Sequence, residues 1–126
     1  MACNDDDSDD SCTVARRWFD NGLYFLEHNE AEAAEECFNR AIKGYCGTAD
    51  NMSDIASVWL AESLLAQDKA TEAETILHEI SPRLITEARR RGILVLDLIT
   101  RGKELQTPAC LVKYCNDNKT KFIEVN

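Results

Sequence analysis

Apolar residues recur every three or four positions between Ala15 and Thr48, which is the spacing of one face of an α-helix. A first stripe consists of Trp18, Gly22 and Phe25, and a second stripe consists of Ala34, Phe38 and Ala41. Each stripe predicts one amphipathic helix. Gly22 has no side chain, so a neighbouring helix can approach closely at that position.

The segment between the two stripes predicts a helix boundary. His28 is expected at the end of the first helix and to face water. Asn29 is a good N-cap residue, and Glu32 follows three positions later, which is the arrangement of a capping box. The two helices should therefore form an antiparallel hairpin that ends near Tyr45, with Gly44 and Gly47 as helix terminators. Such a hairpin buries little surface alone and needs neighbours to stack on.

A second hairpin is predicted from Asp54 to Glu87, after a loop that begins at Cys46. Its packing positions are Leu60, Ala61, Leu64, Ala73, Leu77 and Ile80. They correspond in order to Asn21, Gly22, Phe25, Ala34, Phe38 and Ala41 of the first hairpin. An unrelated helical hairpin of the same polarity would explain this weaker pattern nearly as well.

Two further helices are predicted beyond Ser81. Ser81 as a cap and Pro82 at the first helical position should begin a long helix that Gly102 ends. Its apolar stripe would contain Ile85, Ala88, Gly92, Leu96 and Ile99. The run ILVLDLI is also compatible with a buried strand, but a helix is favoured because no second strand is available to pair with it. Thr107 and Pro108 should then begin a short helix that extends to about Cys115.

Charge divides the 126-residue chain unevenly, with a net charge of -9. Residues 1–12 carry five Asp and no base, lack periodicity and are expected to form a disordered acidic tail. Residues 13–81 have five bases and thirteen acids, whereas residues 82–103 have six bases and two acids. Residues 13–117 should form one helical domain, followed by a C-terminal tail at 118–126. A chain this acidic is not expected to bind nucleic acid.

Neither a membrane span nor a secretion signal is predicted. The longest aliphatic run, Ile93 to Leu96, is far shorter than the ~20 apolar residues that a spanning helix needs. The N-terminus lacks the basic start and apolar run of a signal peptide. The six cysteines are therefore interpreted as reduced thiols, and the expected location is cytoplasmic.

Residues 15–48 resemble a tetratricopeptide repeat, because Trp18, Gly22, Phe25, Ala34, Phe38 and Ala41 occupy the family's packing positions in one register. Residues 54–87 match the pattern moderately. The resemblance implies an all-α fold, a short stack of antiparallel helical hairpins with about six helices. It also implies a non-enzymatic protein-interaction module, an adaptor or chaperone, whose concave groove is lined by the first helix of each repeat.

The resemblance assigns partner-binding positions to that groove. In the first repeat they are Arg16, Phe19, Leu23 and Leu26. In the second they are Ile55, Val58, Glu62 and Leu65, with Trp59 alongside. Arg89 and Arg90 are expected on an exposed flank. Because this face is mostly apolar, the expected partner is a hydrophobic or amphipathic protein segment.

Two groups of tetratricopeptide proteins with known kinds of groove help to choose between possible partners. The Lys, Arg and Asn clamp of heat-shock co-chaperones is absent, since Phe19 and Leu23 stand at the matching positions. The small chaperones of type III secretion look more similar, as acidic chains of comparable length with an apolar groove.

Two alternatives to an open groove remain. The helices that begin at Pro82 or Pro108 would fill the groove in a closed bundle, or a second copy would cover it in a homo-oligomer. If the groove is open, Phe19→Glu abolishes partner binding and leaves the fold intact.

Residues for catalysis or metal binding are sparse. His28 and His78 have no Ser or Cys beside them in a nucleophilic context. The cysteines include no CxxC pair, and only Cys110 and Cys115 approach the spacing of zinc ligands. The alternating aspartates of the tail lack the Gly and the final Glu of a calcium loop. The sequence therefore predicts no enzymatic activity, no cofactor and no metal site.

Overall fold

The computed structural model describes residues 11–45, 52–97 and 107–117. Within these ranges the regular elements are helices, and no strand is present. They are α1 (Ser11–Glu27), α2 (Ala31–Tyr45), α3 (Met52–Ala66), α4 (Ala70–Arg91) and α5 (Ala109–Asp117). Residues 95–97, at the end of the second described range, are also helical. The predicted all-α fold of about six helices is confirmed.

The first helix, α1, begins at Ser11, two residues before the predicted start of the helical domain. The rest of the predicted acidic tail, the loop that contains Gly47, the predicted end at Gly102 and the tail at 118–126 lie outside the described residues. Among the described helices, none is both long enough and apolar enough to cross a bilayer.

The helices pack in chain order, and α3 lies at the centre. α1 packs on α2, α2 on α3, and α3 on α4, while α5 also packs on α3. Nine of the fifteen residues of α3 are buried, on nearly every face of the helix. A helix that is apolar all round needs neighbours on several sides. α5 supplies the third side of α3, after α2 and α4.

Close packing in the first hairpin depends on Gly22. A Cβ atom at this position would lie 2.6 Å from Cε1 of the Phe38 ring. The Phe38 ring also meets Phe19 edge to face, with centroids 5.5 Å apart, and both phenylalanines are fully buried. The predicted role of Gly22, a close approach between the two helices, agrees with this geometry.

The turn between α1 and α2 corrects the predicted capping box. Asn29 has a φ of 63°, so it is a left-handed residue that ends α1, not an N-cap that begins α2. The Glu30 N–H donates to the Phe25 carbonyl at 2.8 Å, and the Asn29 N–H donates to the Leu26 carbonyl at 3.2 Å. These two bonds form a Schellman motif. Sequence reasoning missed it because Asn is favoured both as an N-cap and in the left-handed region.

The turn between α3 and α4 has the same geometry 39 residues later. Asp68 has a φ of 65°, and the Lys69 N–H donates to the Leu64 carbonyl at 2.9 Å. Asp68 thus corresponds to Asn29, and Leu64 corresponds to Phe25, in the register predicted for the second hairpin. The two hairpins therefore share one turn geometry at positions that are 39 residues apart.

Pro82 lies inside α4 and does not begin a new helix, contrary to the sequence prediction. A proline inside a helix leaves the carbonyl four residues earlier without its N–H donor. Here that carbonyl belongs to His78, and it accepts a hydrogen bond from the Ser81 hydroxyl at 3.3 Å. The residue predicted as an N-cap therefore compensates for the proline inside one continuous helix of 22 residues.

Gly92 ends α4 and is not a packing residue within a longer helix. Its φ is 68°, and the Ile93 N–H donates to the Ala88 carbonyl at 2.9 Å. A Cβ atom at Gly92 would meet nothing within 4 Å. The predicted place of Gly92 in the apolar stripe of a longer helix is therefore wrong, since glycine is used here for its left-handed backbone.

An ion pair joins α3 to α4. Asp54 is buried, and both of its oxygens accept hydrogen bonds from the Arg83 guanidinium at 2.9 to 3.1 Å. The hydrogen bond to Asp54 raises the pKa of Arg83. The guanidinium is still half exposed, which limits the strength of the pair.

Arg83→Met is expected to lower the free energy of unfolding by about 1 to 2 kcal/mol, because it leaves the buried Asp54 carboxylate without its donors. Urea denaturation measures the change. Arg16→Met is the matched control, since Arg16 pairs with Asp20 where both side chains are exposed. The control should change stability by less than about 0.5 kcal/mol. Equal effects of the two substitutions would contradict a structural role for the buried pair.

Candidate protein-binding groove

The C-terminal helix α5 lies on a face formed by α3 and α4. We call this face the α3–α4 groove, and it consists of Val58, Glu62, Leu65, Ala73, Leu77 and His78. On the side of α5, Leu111 is fully buried in the hydrophobic core and Tyr114 is nearly so. Three of the predicted partner-binding residues, Val58, Glu62 and Leu65, belong to this groove.

Glu62 holds the N-terminus of α5. The Cys110 N–H donates to Oε1 of Glu62 at 2.8 Å. The first N–H groups of a helix have no partner within the helix, and a carboxylate there also interacts favourably with the helix dipole. The Cys110 thiol donates to the Val58 carbonyl at 3.4 Å. A residue predicted to contact a partner thus caps a helix of the same chain.

Tyr114 connects α5 to α4. Its hydroxyl oxygen lies 2.9 Å from Nδ1 of His78 in a hydrogen bond, and the two rings meet edge to face at 5.3 Å. His78 itself is exposed. The histidine therefore joins α4 to α5 through this tyrosine, and no Ser or Cys lies beside it in the described contacts.

A surface cavity lies beside α5 in the α3–α4 groove. Its volume is about 180 Å³, and its α3–α4 wall is mostly apolar, with one acid: Leu65, Ala70, Ala73, Leu77 and Glu74. α5 contributes Cys110, Lys113, Tyr114 and Asp117 to the opposite wall. Leu65 is 37% exposed, although it is a large aliphatic side chain. The helix that occupies the groove therefore leaves part of its apolar surface uncovered.

The predicted groove residues of the first repeat do not form a comparable surface. Phe19 is fully buried against Phe38 and belongs to the core. Leu23 and Leu26 are half-buried and pack against the same core, while Arg16 is exposed and pairs with Asp20 at 3.6 Å. Only the two leucines of this set combine an apolar side chain with partial exposure.

The remaining predicted site residues divide between the core and a distant surface. Ile55 is buried in the core of α3. Trp59 is half-buried, and its indole nitrogen has no hydrogen-bond acceptor in the described part of the chain. Arg89 and Arg90 are exposed near the end of α4, and Arg90 pairs with the buried Glu87. Arg89 follows Leu77 by twelve residues, which is about 18 Å along the helix, so the arginines do not border the groove.

The open groove that was favoured from sequence is occupied at α3. α5, the helix that follows Pro108, packs on this part of α3. Sequence reasoning did not place Ala73, Leu77 and His78 beside α5. The feature of the sequence that could have indicated this contact is the apolar pair Leu111 and Tyr114, which lies on one face of the short C-terminal helix and predicts that this face packs on another element.

The buried thiols are poor nucleophiles. Burial and the neighbouring Glu62 carboxylate raise the pKa of the Cys110 thiol strongly. Burial also raises the pKa of Cys37. Both thiols are therefore protonated at neutral pH, whereas nucleophilic attack and metal binding require the thiolate. Among the described residues, no three His, Cys, Asp or Glu side chains are grouped so that they could hold a metal ion.

Comparisons with known protein families, with curated proteins and with solved structures find no match to this chain.

Proposed function

We propose that this chain is a non-enzymatic protein-binding module whose α3–α4 groove takes up an amphipathic helix of a partner protein. One observation carries the proposal: an amphipathic helix, α5, already lies in this groove and leaves a cavity of about 180 Å³ beside Leu65. Because α5 binds this surface but leaves part of its apolar area uncovered, the surface has the shape and the apolar character to bind another amphipathic helix.

Repeat architecture supports the same proposal. The α1–α2 and α3–α4 hairpins share a left-handed turn residue, Asn29 or Asp68, at an offset of 39 residues. Tetratricopeptide repeats are stacked hairpins of this kind, and stacks of repeats present extended binding surfaces. We therefore propose an adaptor or chaperone of the tetratricopeptide type.

Net charge and the state of the thiols support the proposed class of partner and the proposed cell compartment. The net charge of -9 disfavours nucleic acid as a partner. Cys37 and Cys110 are unpaired, buried thiols, which suits a reducing compartment. We propose that the module works in the cytoplasm and binds protein.

Leu65→Glu is expected to weaken partner binding at least tenfold, because it places a carboxylate at the apolar edge of the cavity. The full-length chain, tagged and purified from its native source, should retain a protein that the Leu65→Glu variant loses. Quantitative mass spectrometry of the two preparations measures the difference.

Val14→Glu is the matched control for this experiment. Val14 on α1 has the same exposed fraction as Leu65, 37%, but does not border the groove. It should retain the partner. Circular dichroism must show the same helix content in both variants. A partner set that is identical for the wild type and for Leu65→Glu would refute the proposed site.

A further inference from the structure

We infer that α5 is a built-in competitor of the partner, and that the partner is an amphipathic helix whose apolar stripe extends one turn further than the stripe of α5. This inference rests on the proposed function and adds the class of partner and the way in which the groove is regulated.

The apolar stripe of α5 stops before the helix does. Cys110, Leu111 and Tyr114 are all at least 95% buried. The next position on the same stripe is Asp117, seven residues after Cys110, and its side chain is 62% exposed. Asp117 pairs with Lys113 at 3.2 Å on the helix surface. A carboxylate therefore stands where a helix bound by its apolar face would place an anchor residue.

Asp117 lies at the edge of the cavity in the α3–α4 groove. With Lys113 and Tyr114 it borders the α5 side, and the opposite side consists of apolar residues and one acid, namely Leu65, Ala70, Ala73, Leu77 and Glu74. The Asp117 carboxylate stays on the helix surface with Lys113, because packing it against the apolar wall, close to the Glu74 carboxylate, would cost part of its hydration. A Leu, Ile, Met or Phe at this position would instead gain contacts with the apolar side chains of the cavity wall. A partner helix with that residue should hold the groove more tightly than α5 does.

α5 is also short enough to dissociate from the α3–α4 groove. It has nine residues, fewer than the roughly 12 to 15 that an isolated helix needs to be even marginally stable in water. Its helical state therefore depends on the contacts with α3 and with His78. Release of α5 requires the loss of these contacts, while the packing of α1 to α4 on one another stays in place. Local opening of this kind lets a second helix compete.

The experiment uses the full-length chain and two fluorescent peptides in reducing buffer. One peptide has the sequence of residues 107–117, and the other carries Asp117→Leu. Fluorescence anisotropy should show that the Asp117→Leu peptide binds the wild-type chain at least ten times more tightly than the unaltered peptide. Equal affinities of the two peptides would overturn the inference.

Substitutions in α5 of the full-length chain test competition. Leu111→Asp removes a fully buried contact of α5, and Val112→Asp changes its exposed neighbour. The Leu111→Asp chain should bind both peptides at least tenfold more tightly than the wild type, and the Val112→Asp chain should match the wild type. Binding that is unaffected by Leu111→Asp, in a chain that keeps its helix content, would show that α5 does not compete.

Hydrogen exchange on the wild type covers the case in which Leu111→Asp unfolds. Saturation with the Asp117→Leu peptide should raise deuterium uptake at residues 109–117 and leave α1 and α2 protected. Unchanged uptake at residues 109–117 would mean that the peptide binds elsewhere, and the inference would fail. A dimer in sedimentation analysis that the peptide dissociates would also overturn it, because the occupant would then be α5 of a second copy.

Failure of this inference is distinguishable from failure of the proposed function. If neither peptide displaces α5 but Leu65→Glu still loses a native partner selectively, the groove binds protein and the class of partner is wrong. If Leu65→Glu loses no partner, the proposed function fails whatever the peptides do.

Discussion

Phe19→Glu is expected to unfold the protein, with a loss of about 4 kcal/mol or more in the free energy of unfolding. Phe19 is fully buried and packs edge to face on Phe38. Replacing a buried Phe by a small residue costs about 3 to 5 kcal/mol, and Glu adds a carboxylate that has lost its hydration. Because small domains have only about 5 to 15 kcal/mol of net stability, the folded fraction should fall sharply.

Urea denaturation followed by circular dichroism tests the effect of Phe19→Glu. Tyr24→Glu is the matched control, since Tyr24 is an aromatic residue of the same helix that is 57% exposed. The control should stay within about 1 kcal/mol of the wild type. If Phe19→Glu is as stable as the control, Phe19 is not a core residue, and the partner-binding position that the repeat pattern assigned to it would stand.

Gly22→Leu is the second substitution with a large expected effect, a loss of about 3 kcal/mol. The first added atom, Cβ, would already lie within 2.6 to 2.9 Å of three atoms of the Phe38 ring. That ring is buried and in contact with Phe19, so it has no space into which to move. Overpacking of a filled core typically costs about 1 to 3 kcal/mol, and the three further carbons of Leu place this case at the upper end.

Asn21→Leu provides the comparison for Gly22→Leu. It adds the same side chain one position earlier, on the exposed face of α1. Its effect should stay within about 0.5 kcal/mol, measured by the same denaturation curves. If the two leucine variants are equally stable, then α1 and α2 do not approach each other at Gly22 as described.

Helix positions and the first hairpin could be predicted from the sequence, because a buried helix face repeats every three to four residues and this period is visible without a structure. The stripes at Trp18 and Phe38 predicted α1 and α2, and the short helix after Pro108 was also expected. The register of the second hairpin follows from the same spacing. These features depend on residues that are close together along the chain.

Helix ends and the candidate site were predicted less well. Asn29 satisfies the rules for both an N-cap and a left-handed C-terminal residue, and only its φ distinguishes them. From the sequence, Pro82 looks like the start of a helix. In the structure the Ser81 hydroxyl donates a hydrogen bond to the His78 carbonyl, and the helix continues through Pro82. In the groove, Glu62 was expected to face a partner but caps α5, which is 48 residues away along the chain.

By itself, the sequence determined that the described part of this chain is helical and contains two similar hairpins. Local spacing and the placement of small residues act within a few turns of helix, so this information is present in short stretches of sequence. Only the tertiary structure decided which apolar faces are covered. Val58 and Leu65 lie on one predicted face, yet the first is buried and the second borders a cavity. That difference depends on where α5 docks, which is a contact between distant segments that no local pattern encodes.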